Sequence, residues 1–395
     1  MFIYRHLFYP PMKPVTTILR IAIIGGGPAG LTLANLLHVN GIECTVFERD
    51  SNQDERPQGG TLDLHEGTGL LALERAGLIS AFQAIARYDD QGSRVLDKNG
   101  RVLFEDDSTG GDRPEVDRTA LRAMLLAALP EGIVQWSRTL REVLIQPDGT
   151  KALSFDHGVE GPFDLVIGAD GTWSRIRPLL SPYKPQYSGL TFIEFGIDDV
   201  DRSHVAISKL VGRGKMSVEA DGKAIIAQRN GNAHVRGYAI FRVPAGWIGK
   251  HFDLNSPASM RESLKRQFDG FAETFIDLFD ASNGHFSARP IHALPVGHCW
   301  SHRRGLTLLG DAAHVMSPFG GDGVNNAMFD AAELARLLIE RHDWTDAVVE
   351  YERLMFARVV ESAEGAAEAA ATHLSHDGQA LTLEMHRLHA SAEAS

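Results

Sequence analysis

Gly25, Gly27 and Gly30 stand between the β-branched run Arg20–Ile24 and a helically spaced stretch from Leu31 to Val39. In that setting the first glycine permits a tight turn and the second lets a pyrophosphate approach the backbone. The third lets the helix lie close on the strand. The helix amino end offers unpaired N–H groups and a partial positive charge to the anion. Glu48 closes the next apolar run, where its carboxylate can accept both hydroxyls of an adenosine ribose and repels a 2′-phosphate. The chemistry read here is binding of FAD or NAD, and not of NADP.

Two later segments repeat the theme of polar residues at a strand end. The run Asp164–Gly168 is followed by Asp170 and Gly171, then by Ser174, Ile176 and Arg177. Further on, Leu308-Leu309-Gly310-Asp311 leads into the glycine-rich stretch Pro318–Asn325, and then a helix from about Val324 to Glu340 carrying Asp330 and Ala331. With the first motif, in this order and spacing, the chain resembles the class A flavoprotein monooxygenases, the aromatic-ring hydroxylases. Three further stretches narrow the resemblance: Glu48-Arg49-Asp50, Gly59-Gly60-Thr61-Leu62-Asp63-Leu64-His65, and Asp117-Arg118 with Leu121-Arg122. These are similar to the tetracycline-inactivating flavin monooxygenases.

The resemblance implies FAD as cofactor, with NADPH as electron donor and O₂ as the source of one inserted oxygen atom. It places Arg49, Asp63, Arg118, Asp170 and Asp311 on FAD, together with Gly25, Gly27, Gly30 and Glu48. It puts Pro318, Gly323 and Val324 at the flavin, where a helix amino end can face the N1–C2=O region. Arg56 is the implied NADPH contact, and no second Gly-x-Gly-x-x-Gly offers NADPH a domain of its own. The implied substrate is a polycyclic phenol or enol, a tetracycline being the first class to test. Another aromatic polyketide or small phenol, or plain sequestration by an FAD-bound protein, are the alternatives. A flavin halogenase is set aside because no Trp-x-Trp-x-Ile-Pro segment occurs. No catalytic side chain is assigned, since flavin oxygenation requires no protein nucleophile.

The family's tetracycline pocket uses a Gln, an Arg and a His from an antiparallel sheet. The matching places here fall on Phe195, near Arg213, and beside Val235 at His234, with Glu194 one register away from Phe195. A shift of one residue turns a strand's side chains to the opposite face, so the register matters.

The elements that must hold these residues are those of an α/β protein. The fold expected is an FAD-binding Rossmann-like (glutathione-reductase-type) domain with an inserted antiparallel-sheet substrate domain and a C-terminal bridging helix. Residues 20–177 and 296–345 form the first domain, 178–295 the second, and 346–395 a helical tail whose bracing part lies within 364–388. Asp377-Gly378 is a possible break in it. Alternation around Pro147-Asp148-Gly149 predicts a hairpin over 134–154. Residues 1–19, with Met12 as a second possible start, read as a disordered leader.

Composition narrows the classes further. Fifty-one Asp plus Glu against 39 Lys plus Arg give a net charge of −12, which argues against nucleic acid. No apolar run is long enough to span a membrane, and mean hydropathy is −0.14. Cys44 and Cys299 make no disulfide framework and suit a reducing cytoplasm. The expected partners are a small aromatic or polycyclic substrate and O₂, acting on a monomer. His65 and His314 read as structural, and His292, His298 and His302 as solvated loop residues. No metal site is expected.

Overall fold

The computed structural model describes residues 19–55, 59–107, 111, 113–375, 378, 380, 383 and 384. Apart from Leu19, the expected leader lies outside them.

Ile21-Ala22-Ile23-Ile24 is buried on both faces, as a central parallel strand requires, and forms β1 (Ile21–Ile24). Pro28 then opens the Pro28–Val39 helix, which stops at Asn40 and at Gly41 with φ +70°. Along the chain follow β2 (Cys44–Phe47), β3 (Thr61–Asp63), β4 (Gly92–Leu96), β5 (Val102–Asp106) and β6 (Glu115–Asp117). After the Arg118–Ala127 helix come β7 (Val134–Gln135), β8 (Leu140–Ile145), β9 (Lys151–Phe155), β10 (Gly158–Phe163) and β11 (Leu165–Gly168). A long β12 (Gln186–Ile197) precedes β13 (Gly214–Ala220), β14 (Lys223–Arg229) and β15 (Val235–Arg242). The last strands are β16 (Phe286–Ala293) and β17 (Leu306–Leu308). Two helices close the fold, Gly323–Glu340 and the 29-residue Trp344–Thr372.

Among the described residues these strands make a parallel sheet of order β17-β11-β1-β2-β7 and a larger sheet of order β16-β12-β15-β14-β13-β4-β5. A β10-β9-β8 meander and a β3-β6 ribbon accompany them. The fold class read from the sequence is therefore the one observed. Two details differ. The predicted hairpin starts at Leu140, because Val134 and Gln135 pair in parallel with Val46 and Phe47 instead. The larger sheet also recruits β4 and β5 from residues 92–106, which lie in the first piece of the expected domain division. β4 pairs with β13, more than a hundred residues away along the chain, and no local pattern announces such a pairing.

The larger sheet has two different faces. Ile193, Phe195, Ile197, Met216, Val218, Ile225 and Phe241 point to one core, closed by Phe275, Leu278 and Phe279 of the Glu273–Asp280 helix. Phe192, Ile240 and Leu190 point the other way, against Ala370 and Leu374 at the end of the long helix. Arg242 fixes that end by donating to the Ala370 carbonyl at 2.6 Å, while Ala366 lies over Gly320. The long helix thus bridges the two sheets. It ends at Thr372, ahead of the expected break, and Asp377 lies outside the described residues.

Phe195 is a core residue. Its ring sits 5.5 Å from that of Phe279, directly over Gly237, where a Cβ would come within 2.2 Å of it. It cannot line a cavity on the opposite face, and the expected substrate role is corrected accordingly. Phe195→Ala is expected to cost about 3–5 kcal/mol of stability, as buried Phe truncations do. Urea unfolding measures this; a loss below about 1 kcal/mol would contradict the packing described.

Candidate cofactor and substrate site

Neighbouring strands of the parallel sheet end along one edge, and the predicted cofactor residues collect there. Asp311 follows β17, Asp170 follows β11, Gly25 and Gly27 follow β1, and Glu48 follows β2. The crevice outside the carboxyl ends of such strands is where open parallel sheets bind ligands.

The glycines divide into two kinds. Gly25 has φ +112°, and a Cβ there would lie 2.3 Å from the Ala169 carbonyl oxygen. A Cβ on Gly30 would lie 2.1 Å from the Gly25 carbonyl oxygen. Gly27 has an ordinary extended conformation, and a Cβ there would meet nothing within 4 Å. It leaves open space at the helix amino end.

Glu48 is buried at the rim of this turn, accepting from Gly26 N at 2.6 Å and from Asp50 N at 3.0 Å. Arg122, quoted within a motif above but given no role, braces the same turn from beneath. It donates to Gly26 O at 3.1 Å and to Asp50 Oδ2 at 3.1 Å, both charged groups being almost fully buried. Its signal was its place among the apolar residues of the Arg118–Ala127 helix, one turn after Arg118. Arg49 beside Glu48 is exposed.

Asp170 accepts from Arg175 N at 2.6 Å through Oδ2, whereas its Oδ1 is buried without a hydrogen-bond partner. Burial raises its carboxyl above the usual range, against the hydrogen bonds from Ser174 and Arg175. Asp311 is exposed on the first residue of the short Asp311–His314 helix. Beneath it the wholly buried Asp330 accepts from Gly310 N at 2.8 Å, meets His314 Nε2 at 2.7 Å and pairs with Arg358. Burial opposes the Asp330 charge, but His314, Arg358 and the Gly310 N–H hold its pKa below the ordinary value. His314 is thus structural, as expected.

The other end of the crevice is tied by Asn325, in the first turn of the Gly323–Glu340 helix. It donates to Asp63 O at 3.0 Å and accepts from His65 N at 2.9 Å. Asp63 meets His65 Nε2 at 3.0 Å, and the exposed Arg118 lies over Gly59. Pro318 opens a tight turn into Gly323 and Val324, and a Cβ on Gly323 would meet open space. Arg56 lies outside the described residues.

Across from these segments stands the second face of the larger sheet. Glu194, one register from Phe195, pairs there with Arg236 and Arg289. The Tyr238 hydroxyl and Arg236 Cδ lie against Gly60, and Phe192 meets Tyr238 and Phe319 edge-on. His234 is on this face but sits at the strand end, 2.7 Å from Asp198, with Nε2 buried and unpartnered. Arg213 is a surface residue paired with Asp89 at 3.0 Å. Arg213 is not drawn into the face beside Gly60.

The histidines after the second sheet are corrected. His298 is buried between Ala313 O at 2.7 Å and Ser181 Oγ at 2.8 Å, and His302 meets the buried Glu352 at 2.9 Å. Their loop folds under the Asp311–His314 helix, which local sequence does not foretell. Among the described residues no cluster of three or more His, Cys, Asp or Glu could hold a metal.

Comparison with known proteins agrees with this architecture. Residues 19–347 match the family described as FAD binding domain. Monooxygenase penA of Penicillium thymicola is 34% identical, over 82% of this chain and 85% of that protein. The chain belongs to the FAD-dependent class A monooxygenases. Monooxygenase asqM of Emericella nidulans is 32% identical, over 92% of this chain and 94% of its own. Among solved structures, Klebsiella pneumoniae HpxO complexed with FAD and uric acid has a TM-score of 0.77 at 21% identity, covering 93% and 91% of the two chains. The tetracycline destructase Tet(51) has a TM-score of 0.71 at 24% identity, covering 93% and 94%. At those identities the likeness is one of fold.

FAD fits the crevice of this monooxygenase. The space before Gly27 and Gly323 is open, and the buried Asp170 Oδ1 awaits a donor. No helix among the described residues is long and apolar enough to cross a membrane.

A half-buried acid also stands where the β3-β6 ribbon meets β14 of the larger sheet. Glu115 lies opposite Asp63 in the β3-β6 ribbon, accepts from Thr61 Oγ1 at 2.6 Å, and faces Arg87, Lys215 and Gln228. Burial pushes its carboxyl up to about 7, and the Asp63 charge adds to this against Thr61, Lys215 and Arg87. A raised folded pKa gives a contribution that is full below the unfolded value of 4.5 and is lost as pH rises through about 7. Glu115→Gln should therefore gain stability relative to the native chain across that window and gain none below it. Urea unfolding at several pH values tests this, and a pH-independent difference would contradict it.

Proposed function

We propose that this FAD monooxygenase consumes NADPH and inserts one oxygen atom from O₂ into a phenolic or enolic ring. The observation that carries the reading is the juxtaposition of the strand-end crevice with the aromatic and charged face around Phe192, Tyr238 and Phe319. When bound, FAD supplies the redox chemistry and oxygen activation.

The chain's own residues bind and orient. Gly25, Gly27 and Gly30 shape the turn that takes the pyrophosphate at a helix amino end. Glu48 accepts the ribose hydroxyls through lone pairs left by its two backbone bonds. Asp170 and Asp311 receive FAD hydroxyls along the edge, with Arg49 and Arg118 giving charge-assisted contacts at the rim. Asp63, Pro318, Gly323 and Val324 border the flavin, where the helix amino end favours negative charge. Phe192, Tyr238 and Phe319 bound the substrate side, where walls of this kind exclude water. Arg56 meets NADPH.

Two substrate readings are separable. The stretch Gly59–His65 and the fold shared with Tet(51) favour a tetracycline. Against it, Phe195 is turned into the core and Arg213 sits at the surface, so the polar set is not the expected one. Loss of one needed hydrogen bond to a buried substrate atom costs about 1–3 kcal/mol, or one to two decades in affinity. A different aromatic polyketide or small phenol is therefore favoured.

Purified protein should be yellow and release FAD, not FMN, on denaturation. NADPH oxidation should rise with a phenolic or enolic ligand, and mass analysis should find that ligand heavier by one oxygen atom. Arg56→Ala should raise the KM for NADPH and leave bound FAD intact. Ligand binding with no rise in NADPH oxidation would favour sequestration. A tetracycline that stays unmodified while a phenol is hydroxylated would remove only the tetracycline reading.

A further inference from the structure

The turn from Pro318 to Gly323, which borders the flavin in the functional reading above, has little stiffness of its own. Gly320, Gly321 and Gly323 leave its backbone with wide conformational freedom. Pro318, Gly320 and Gly321 are exposed, whereas Phe319 among them is half-buried. The Phe319 ring is the turn's aromatic anchor. Phe192 of β12 meets that ring edge-on at 5.6 Å, and Ala366 of the long helix lies over Gly320. The face of the ring is covered by His373, stacked on it with centroids 4.0 Å apart and planes 23° from parallel.

His373 comes just after the end of the Trp344–Thr372 helix and is itself held by two strands of the larger sheet. Its Nδ1 meets Glu219 Oε2 of β13 at 3.1 Å, the Glu219 side chain being 9% exposed. The other oxygen of Glu219 accepts from Leu374 N, and Arg242 of β15 donates to the His373 carbonyl. Leu374 takes φ +64° and is buried in the same cluster as Phe192. A leucine holds that backbone where its surroundings fix it, so this end of the helix is a built joint.

We propose that His373 is a positioning residue for the flavin: held by Glu219 and Arg242, it stacks on Phe319 and so orders the Pro318–Gly323 turn before FAD arrives. This rests on the reading of that turn as a border of the flavin. The gain comes without contact between His373 and FAD. A turn already ordered in the folded chain loses less conformational entropy when the cofactor binds, and the affinity rises accordingly.

The test compares the full-length native chain with His373→Ala, which removes the ring, and His373→Phe, which keeps a ring and loses the contact with Glu219. Three readouts are taken: FAD affinity, the visible spectrum of the bound flavin, and hydrogen exchange of the 317–323 amides in FAD-stripped protein. His373→Ala should bind FAD about tenfold more weakly, as loss of one aromatic pair allows. Its bound flavin should show a shifted spectrum, and the turn's amides should exchange faster. His373→Phe should return all three close to native, which a general loss of stability at the helix end would not do. Native FAD affinity and spectrum in His373→Ala, or equal impairment of the Ala and Phe variants, overturns the proposal. The exchange measurement needs no cofactor, so unchanged exchange in His373→Ala overturns it independently. A native chain that retains no FAD would instead defeat the functional reading.

Discussion

The backbone of Gly25 comes so near that of Ala169 that no side chain fits between them, and the rest of the cofactor edge is built on this approach. It draws the ends of β1 and β11 together, and the parallel pairing carries the constraint outward to β17 and β2. Gly30 continues it by letting the Pro28–Val39 helix touch the turn itself. A helix amino end is then aimed along the strand ends, with Gly27 leaving the space in front of it clear. Arg122 and Asp50 secure the turn from below with a buried pair whose remaining donors reach main-chain oxygens. Such pairs cost desolvation, and complete hydrogen bonding of this kind is what makes them tolerable.

A second buried charge organises the opposite end. Asp330 gathers the Gly310 N–H, His314 and Arg358, and so joins the end of β17, the Asp311–His314 helix and both long C-terminal helices. Glu352 does similar work one layer out, receiving hydrogen bonds from Trp300 and Thr307. Asp311 stands exposed on this scaffold, free to meet a ligand. The long helix continues past the crevice to the second sheet, where Arg242 and Glu219 hold its last turn. The strand-end edge and the second face of the larger sheet are therefore tied to the same long helix.

Much of this was legible because it is local. The glycine spacing, the acidic residue ending β2 and the Gly310-Asp311 pair are short motifs whose meaning follows from a strand leading into a helix. What escaped was non-local. β4 and β5 join a sheet whose other strands lie beyond residue 185, and only tertiary pairing shows it. The face opposite the core turned on a single register, since Phe195 and Glu194 are adjacent in sequence and point to opposite sides. Gly237 decided between them by making room for the Phe195 ring on the core side. Arg289 lies nearly a hundred residues from Glu194, so nothing in either local segment announces their pairing.

The central claim is that FAD lies across the strand ends with its pyrophosphate before Gly27. The most direct measurement is the FAD occupancy of purified Gly27→Val, set beside the thermal unfolding of the FAD-stripped variant and native chain. Gly27 has an extended backbone that valine adopts readily, and a Cβ placed there meets nothing within 4 Å. The account predicts matching unfolding curves for the stripped proteins and an FAD affinity lowered by more than about tenfold, or 1.4 kcal/mol. A stably folded Gly27→Val protein that holds FAD as tightly as the native chain would contradict it.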